Sequence, residues 1–311
     1  MASLLLLLLG SLEATAADEC HPIRLDAPGM PFSKIPEYNQ NGIGICYAYA
    51  AAQLADSYAL LQSPKKQKLT NPSIVALDYM LAYGTESFSD SGGTICAALE
   101  EIRKRGRCSG KASDPQAIAN LQYSLLEQGR RRVKKDHPDC FQLPGFEASV
   151  EKALALASVK ALAADATRKC RREKLTLPEC RTVSDETVPS ARFKSIIDRS
   201  LDESPPLPVE VGLSKHLFSY DNFHGGKHRI DRRPTDEIEF MRYNPHSVIV
   251  IGRAPAKDGR CRYLIRNTVP FCPADAKARG WECLSPNTLW VTEKDLMDSI
   301  FQVSGFSKTI R

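Results

Sequence analysis

The sequence predicts an α+β protein whose helices come first in the chain and whose strands come later. Apolar residues recur at helical spacing from Cys46 to about residue 106, and residues 107–190 are also helical in pattern but more polar. After residue 205 the chain contains short runs rich in β-branched residues, bounded by Gly, Pro and Asp. This order predicts a helical lobe and a separate strand-rich lobe, with a cleft between them.

The first seventeen residues, "MASLLLLLLGSLEATAA", are typical of a secretory signal peptide. A block of leucines precedes small residues, and Ala14-Thr15-Ala16 fits the small-x-small rule for cleavage. The alternatives are a buried hydrophobic strand or a wrongly assigned start. Cleavage would leave a mature domain of residues 18–311 that is secreted or periplasmic. No internal run approaches the ~18 apolar residues of a membrane span, so we predict no stable span.

The chain has ten cysteines and no CxxC pair, which argues against a zinc ribbon or a thioredoxin-type site. In an exported protein, scattered cysteines form disulfides. Short sequence separation predicts the pairs Cys170–Cys180 and Cys272–Cys283. If Cys46 stays a thiol, nine cysteines remain, so at least one more is unpaired or intermolecular. The sequence predicts no metal and no cofactor.

The formal net charge is +5, and removing the signal peptide deletes one acid, Glu13, and no base. The bases concentrate in residues 130–135 and 168–174. A solvated helical face explains such runs, and attraction to an anionic cell envelope is the alternative. No nucleic-acid motif occurs, so nucleic acid is not predicted as a partner. Any inhibitor or envelope partner is unidentified.

The elements follow in order along the chain. A helix begins at Cys46, a second is opened by Asn71-Pro72, and a third runs from about Thr94 to Arg105 and stops at Gly106. These belong to a helical lobe of about 40–106, which a helical insertion of about 107–190 follows. The β-rich lobe of about 205–311 holds three predicted strands, at 207–213, 246–252 and 260–267.

Cys46 stands where a thiol is chemically activated. A helix N-terminus favours the thiolate, and a nearby imidazolium favours it further. His246 begins a strand apolar enough to be buried, and Asn267 ends the next strand, where its amide could orient the imidazole. The alternative for His246 is a core-edge histidine satisfied by backbone. A metal pair of His224 and His228 is disfavoured by the glycines between them.

Five segments resemble the papain family of cysteine peptidases, in the family's order. "QNGIGICYAYA" is similar to Q-G-x-C-G-S-C-W-A-F, and "SGG" to the C-N-G-G turn. "PHSVIVIG" is similar to D-H-A-V-x-x-V-G, and "YLIRNTV" to Y-x-x-x-K-N-S-W. "LPVEVGLSKHLFSYDNFHGG" resembles the P-V-S-V-x-I strand and the segment after it. Together these segments cover about 40–106 and 205–270 in patches.

The resemblance implies a papain-like two-lobe fold with an antiparallel β lobe. It also implies that Cys46 is the nucleophile, His246 the general base and acid, and Asn267 the residue that orients His246. The side chain of Gln40 and the backbone N–H of Cys46 would form the oxyanion hole.

The implied activity is that of a secreted or periplasmic cysteine peptidase, which hydrolyses peptide bonds through a thioester acyl-enzyme. Its partner would be a peptide or protein substrate. Gly92 and Gly93 would present backbone to an extended substrate, because missing side chains allow close approach. Two alternatives stay open: a catalytically inactive papain-fold binding protein, and a thiol amidase acting on cell-wall peptides.

The sequence departs from the family pattern at several positions. Tyr47 replaces a tryptophan, Pro245 an aspartate, and Thr268-Val269 a Ser-Trp pair whose indole shields the asparagine–histidine bond. We expect the Cys272–Cys283 region, with Trp281, to exclude water there instead. Both cysteines of a family disulfide are absent, since Ile43 and Asp90 stand at their positions. The separation between Cys46 and His246 is 200 residues against ~130–150 in the family, and the insertion supplies the excess.

Overall fold

The computed structural model describes residues 20–64, 68–88, 92–109, 113–184, 189–214, 245–308 and 310. The predicted signal peptide and the pair His224 and His228 lie outside these residues. Within the described part of the chain there are seven α-helices and one large antiparallel sheet. The helices are α1 Cys46–Gln62, α2 Pro72–Tyr83, α3 Ile95–Arg105, α4 Pro115–Asp136, α5 Phe146–Lys169, α6 Ser190–Leu201 and α7 Glu293–Ser299.

The local signals that predicted the first three helices coincide with their observed ends. Helix α2 has Asn71 as its N-cap, whose side chain accepts from the Ser73 N–H at 3.1 Å, and Pro72 as its first residue. It stops at Gly84, whose φ of 70° is left-handed. Helix α3 follows the N-cap Thr94 and ends before Gly106.

Helix α1 is buried more completely than its sequence pattern predicts. The spacing predicts a single apolar face, but every residue from Tyr47 to Ser57 is buried. The helix packs against α2 and α3 on one side and against strands of the large sheet on the other. Its many alanines allow this, because a small side chain lets neighbouring backbones approach closely. Helix α1 is therefore the central element between the helices and the sheet.

The large sheet contains three predicted strands and five that the sequence analysis did not find. Its strands are β1 Ile23–Arg24, β4 Cys180–Ser184, β5 Val209–Ser214, β6 Pro245–Pro255, β7 Cys261–Arg266, β8 Glu282–Ser285, β9 Thr288–Thr292 and β10 Ile300–Phe306. Their order is β4-β10-β5-β6-β7-β9-β8, with β1 on β6. The predicted strands β5, β6 and β7 are adjacent in its centre, where both faces are covered.

The segment predicted as a helical insertion has a different C-terminal limit. Helices α4 and α5 form a hairpin that packs on α2. Two short strands, β2 Arg107–Cys108 and β3 Arg172–Glu173, pair with each other at its base. Strand β4, however, is an edge strand of the large sheet and pairs with β10. The helical hairpin therefore ends at Lys169, before the chain reaches β4 in the large sheet.

Four disulfides are present, and three of them join cysteines that lie 62 to 241 residues apart in the sequence. The four are Cys20–Cys261, Cys96–Cys180, Cys108–Cys170 and Cys272–Cys283. The predicted Cys272–Cys283 pair is confirmed, and the predicted Cys170–Cys180 pair is wrong. Sequence proximity misled the prediction, because Cys170 ends the helical hairpin while Cys180 begins a strand beside α3. Cys46 and Cys140 are the two cysteines outside the disulfides.

No helix in the described residues is long and apolar enough to cross a membrane.

Candidate active site

Cys46 is the first residue of helix α1. The turn before it reverses the chain through Asn41 and Gly42, whose φ angles are 52° and 76°. The N-cap residue Ile45 makes no side-chain hydrogen bond to the helix end. Cys46 therefore sits where the partial positive charge of the helix end favours a thiolate. Its side chain is partly accessible.

His246 and Asn267 meet at one end of the sheet. His246 is the second residue of β6, and Asn267 follows the last residue of the neighbouring antiparallel strand β7. Because antiparallel partners run in opposite directions, the start of one strand lies beside the end of the other. His246 Nε2 lies 2.7 Å from Asn267 Oδ1, and both residues are buried.

The contacts of Asn267 determine which nitrogen of His246 carries the proton. Asn267 Oδ1 also accepts from the backbone N–H groups of Thr268 at 2.8 Å and Val269 at 3.2 Å. An atom that accepts from two backbone N–H groups is the carbonyl oxygen of the amide, not its nitrogen. His246 Nε2 is therefore the donor in the bond to Asn267. In the neutral ring, Nδ1 is then the basic nitrogen.

Asn287 holds the backbone around Asn267, and the sequence analysis did not find it. Its Nδ2 donates to the Asn267 carbonyl at 3.1 Å and to the Tyr38 carbonyl at 2.9 Å. Its own carbonyl accepts from the Asn267 N–H at 2.7 Å. Asn287 stands in a turn before β9, where an asparagine is ordinary, so no signal in the sequence marked it.

Gln40 is joined to the same group of residues through Thr268. The Gln40 N–H donates to the Thr268 carbonyl at 2.9 Å, and the Thr268 hydroxyl donates to Gln40 Oε1. Gln40 Nε2 donates to the Ile43 carbonyl at 2.7 Å, and that carbonyl also accepts from the Ile45 N–H at 2.8 Å. Hydrogen bonds therefore connect Ile45, the residue before Cys46, to Gln40 through the Ile43 carbonyl. Gln40 in turn is bonded to Thr268, the residue after Asn267.

Glu210 is a buried acid near Cys46 that the sequence analysis also missed. It lies on β5, beside β6, and is fully buried. Burial raises the pKa of Glu210 to about 7, hydrogen bonds with Ser304, Gln302 and Ser247 oppose the rise, and the charge of Cys46 adds to it. The structure thus places the Glu210 carboxyl within electrostatic range of the predicted nucleophile. The sequence signal was an acid inside the apolar run "LPVEVGL".

The two predicted substrate glycines differ in their surroundings. A Cβ on Gly93 would lie 2.8 Å from the ring of Tyr47, so the protein's own aromatic side chain occupies the space there. Gly92 has a φ of +48°, and a Cβ on it would meet nothing within 4 Å. The missing side chain of Gly93 is therefore explained by packing, and substrate contact at both glycines stays a prediction.

The polar and cation contacts of Trp281 are with residues outside the Asn267 group. Its Nε1 donates to Asp295 Oδ2 at 2.7 Å, and the Arg279 guanidinium lies 4.9 Å from its ring centre. Two buried residues hydrogen-bond with Asn267: Asn287, which is 6% exposed, and Thr268, which is 1% exposed.

Two buried carboxyls predict that stability falls as pH rises. Burial is the main cause that raises the pKa of Asp56 and of Glu210 to about 7, from 3.8 and 4.5. Between those values the folded state holds more protons than the unfolded state, so the stabilisation present at low pH is lost as pH rises through 7. We expect the free energy of unfolding, measured with urea, to fall by at least about 1.4 kcal/mol between pH 5 and pH 8.

The variant Glu210→Gln tests the cause of this fall. A neutral side chain of the same shape removes one of the two titrations, so the variant should lose less stability than the parent over the same interval. Carboxyls whose pKa is lowered, such as Glu100 and Asp258, titrate below this interval. A parent protein whose stability is flat or rises from pH 5 to pH 8 would contradict the prediction.

The comparison of folds identifies known structures with the same architecture. PepW from Lactobacillus rhamnosis aligns with a TM-score of 0.53 at 12% identity, over 93% of this chain and 82% of that one. SERA5E from Plasmodium falciparum aligns with a TM-score of 0.51 at 10% identity, over 91% and 93%. The chain has the papain-like fold. The predicted α+β class and papain-like architecture are therefore confirmed.

One further structure aligns less well, and the sequence comparisons find no match. The proform of the ragweed pollen allergen Amb a 11 cysteine protease aligns at 12% identity over 94% of this chain and 68% of that one, with a TM-score of 0.47. No protein-family model and no curated protein matches the sequence. Within the papain-like fold, the structure brings Gln40, His246 and Asn267 into one hydrogen-bonded group, and the turn after Gln40 leads to Cys46.

Proposed function

We propose that this chain is an exported cysteine peptidase that hydrolyses peptide bonds with Cys46 as nucleophile. The observation that carries the proposal is the bond between His246 Nε2 and the Asn267 carbonyl oxygen at 2.7 Å. It holds the imidazole with its basic nitrogen at Nδ1, in a fold where the candidate thiol begins a helix. Four disulfides and the signal-like first seventeen residues support export.

The reaction proceeds in two halves. The Cys46 thiolate attacks the substrate carbonyl carbon, and the tetrahedral intermediate collapses to a thioester as the protonated His246 donates its proton to the departing amine. A water molecule then attacks the thioester while His246 accepts its proton, and the thiolate leaves as the acid product forms. Asn267 keeps the ring oriented through both halves.

In each half of the reaction, negative charge develops on the oxygen of the carbonyl that is attacked, and hydrogen-bond donors must stabilise it. The backbone N–H of Cys46, at a helix end where such groups have no partner within the helix, supplies one. Gln40 Nε2 carries two hydrogens, and one of them is used by the Ile43 carbonyl. We assign the second to the substrate oxygen. The bond to the Ile43 carbonyl then fixes the plane of the Gln40 amide, so that its second hydrogen points in a constant direction.

Active-site labelling tests the proposal, with Cys140 as an internal control. An epoxysuccinyl thiol-protease inhibitor should modify Cys46 and leave Cys140 largely unmodified, although both thiols are outside disulfides and partly accessible. Cys46→Ala should abolish labelling and the hydrolysis of a fluorogenic peptide. Equal labelling of both cysteines, with no peptide hydrolysed, would contradict a peptidase and favour a papain-fold binding protein. Labelling of Cys46 with hydrolysis confined to cell-wall peptides would favour the amidase.

Gln40→Ala should lower turnover about a hundredfold, equivalent to roughly 3 kcal/mol of transition-state stabilisation. The rate of Cys46 alkylation should stay near that of the parent, because the thiolate depends on His246 and the helix end. Turnover is measured per titrated active site, so that misfolded protein does not count.

Thr268→Val is the matched control for Gln40. It removes the hydroxyl that donates to Gln40 Oε1 but leaves the amide donors in place. We expect its turnover to fall much less than that of Gln40→Ala, within about tenfold of the parent. If Gln40→Ala retains turnover within about threefold of the parent, or ~0.7 kcal/mol, then Gln40 has only a structural role.

A further inference from the structure

A second site lies at the opposite end of helix α1 from Cys46. A cavity of about 800 Å³ opens beside the last turns of α1 and the segment that follows β3. Tyr58, in its wall, is twelve residues after Cys46, which at ~1.5 Å per residue is roughly 18 Å along the helix. The volume falls in the range of small-molecule sites. This cavity is therefore separate from the candidate active site.

Positive charge predominates around the cavity. Three cations, Lys68, Arg107 and Lys174, line it with one carboxylate, Glu173, so the formal net charge of the lining is +2. The C-terminal end of α1 opposes this with roughly half a negative charge. Lys174 is exposed and forms no ion pair with any residue that the structure describes. The lining as a whole remains cationic.

Arg107 is buried without a full set of partners. Only 5% of the residue is exposed. Its Nη1 lies 3.6 Å from Asp56 Oδ1 and its Nη2 lies 3.4 Å from Glu173 Oε2. Both distances exceed the ~2.7–2.9 Å of a charge-assisted hydrogen bond. Its Nε has no hydrogen-bond partner among the described residues.

The two acids near Arg107 make their short bonds elsewhere. Asp56 accepts from the Thr70 N–H at 3.0 Å and from the Thr70 hydroxyl at 2.7 Å. Glu173 accepts from Lys68 Nζ at 2.5 Å. A buried guanidinium loses its hydration, and an anion must compensate for that loss. Neither acid compensates it fully.

The rest of the wall is partly apolar and also contains Gln62, Ser63 and Thr176. Tyr58, Leu175 and Leu177 line the cavity with the cations. We propose that this cavity binds a carboxylate carried on an apolar body, either a small organic acid or the C-terminus of a peptide. The carboxylate contacts Arg107 and Lys174, and the apolar body covers Tyr58 and the two leucines. The site is independent of peptidase activity, because its ligand is recognised away from Cys46.

The first experiment compares ligands that differ only in charge. N-acetyl-leucine and N-acetyl-leucinamide have the same apolar body, and calorimetric titration of the full chain measures their binding. We expect the acid to bind at least about tenfold more tightly than the amide, as a charge-assisted contact to Arg107 requires. The same comparison between a tetrapeptide that ends in leucine and its C-terminal amide tests whether the carboxylate can come from a peptide C-terminus. Equal binding of acid and amide, or no binding of either acid, overturns the proposal.

The second experiment changes the charge of the wall in both directions. Glu173→Gln removes the single carboxylate and should tighten binding of the acid. Lys174→Met removes a cation and should weaken it about threefold or more. Lys160→Met, at an exposed lysine on α5, is the matched control and should change nothing. Because Lys174 and Lys160 are both exposed, these variants should fold. If Glu173→Gln fails to tighten and Lys174→Met fails to weaken binding, the cavity is not the site.

Discussion

His246→Ala should lower peptide turnover about 10⁴-fold or more, the loss expected when one member of a catalytic group that acts as a unit is removed. The remaining thiol then has no imidazole to accept its proton or to protonate the leaving amine. Alkylation of Cys46 should also slow near neutral pH. The pH dependence of alkylation should shift upward, towards the ~8.5 of an ordinary cysteine thiol. Single-turnover kinetics and an alkylation profile from pH 5 to pH 9 measure both effects.

His137→Ala is the control for this prediction. His137 is exposed, follows the last residue of α4, and belongs to no part of the candidate site. Its replacement should leave turnover and the alkylation profile unchanged. If His246→Ala kept turnover within tenfold of the parent, the histidine would be a buried structural residue and the proposed mechanism would be wrong.

Arg253→Met should lower the free energy of unfolding by about 3 kcal/mol or more, because it removes a buried cation from its acids. Arg253 is 3% exposed and lies on β6, at the opposite end from His246. Its Nη1 is 2.9 Å from Asp198 Oδ1, its Nη2 is 2.7 Å from Asp202 Oδ1, and its Nε donates to the His21 carbonyl at 3.2 Å. Urea denaturation at pH 7 measures the loss.

Arg260→Met distinguishes a buried ion pair from an exposed one. Arg260 lies 2.6 Å from Asp258, but its side chain is 60% exposed and that of Asp258 is 49% exposed. Exposed pairs contribute under about 1 kcal/mol, so this variant should be almost as stable as the parent. A loss for Arg253→Met as small as that for Arg260→Met would show that Arg253 is not a necessary part of the β lobe.

The sequence predicted the helices and strands that are stabilised by interactions within their own segment. The N-cap Asn71, Pro72 and the left-handed Gly84 determine α2 through backbone bonds within four residues. The apolar run from Pro245 makes β6 a central strand, because only a strand covered on both faces can bury so many consecutive apolar side chains. By contrast, β4 and β8 are edge strands with mixed sequences. Pairing with a distant neighbour stabilises each of them, and no local pattern marks that neighbour.

The candidate site divides in the same way. Cys46 and His246 could be found because each stands at the start of an element with a clear pattern, and Asn267 could be found because it ends the next strand. Thr268, Asn287 and Glu210 could not. Each is an ordinary residue in its own segment, and it becomes part of the site only through a partner far along the chain. Glu210, for example, becomes part of the site because β5 lies beside β6 and near Cys46, at the N-terminal end of α1.

The residues alone predict the α+β order of elements, the helix that begins at Cys46, the strand β6 that carries His246, and the strand β7 that Asn267 follows. Backbone hydrogen bonding and side-chain periodicity act over a few residues, so they can be read from a segment in isolation. Only the tertiary structure determines the disulfide partners, the C-terminal end of the helical hairpin, the nitrogen of His246 that carries the proton, and the incomplete pairing of Arg107. Each of these depends on atoms that approach across tens to hundreds of residues, and burial of those atoms sets the energy of the contact.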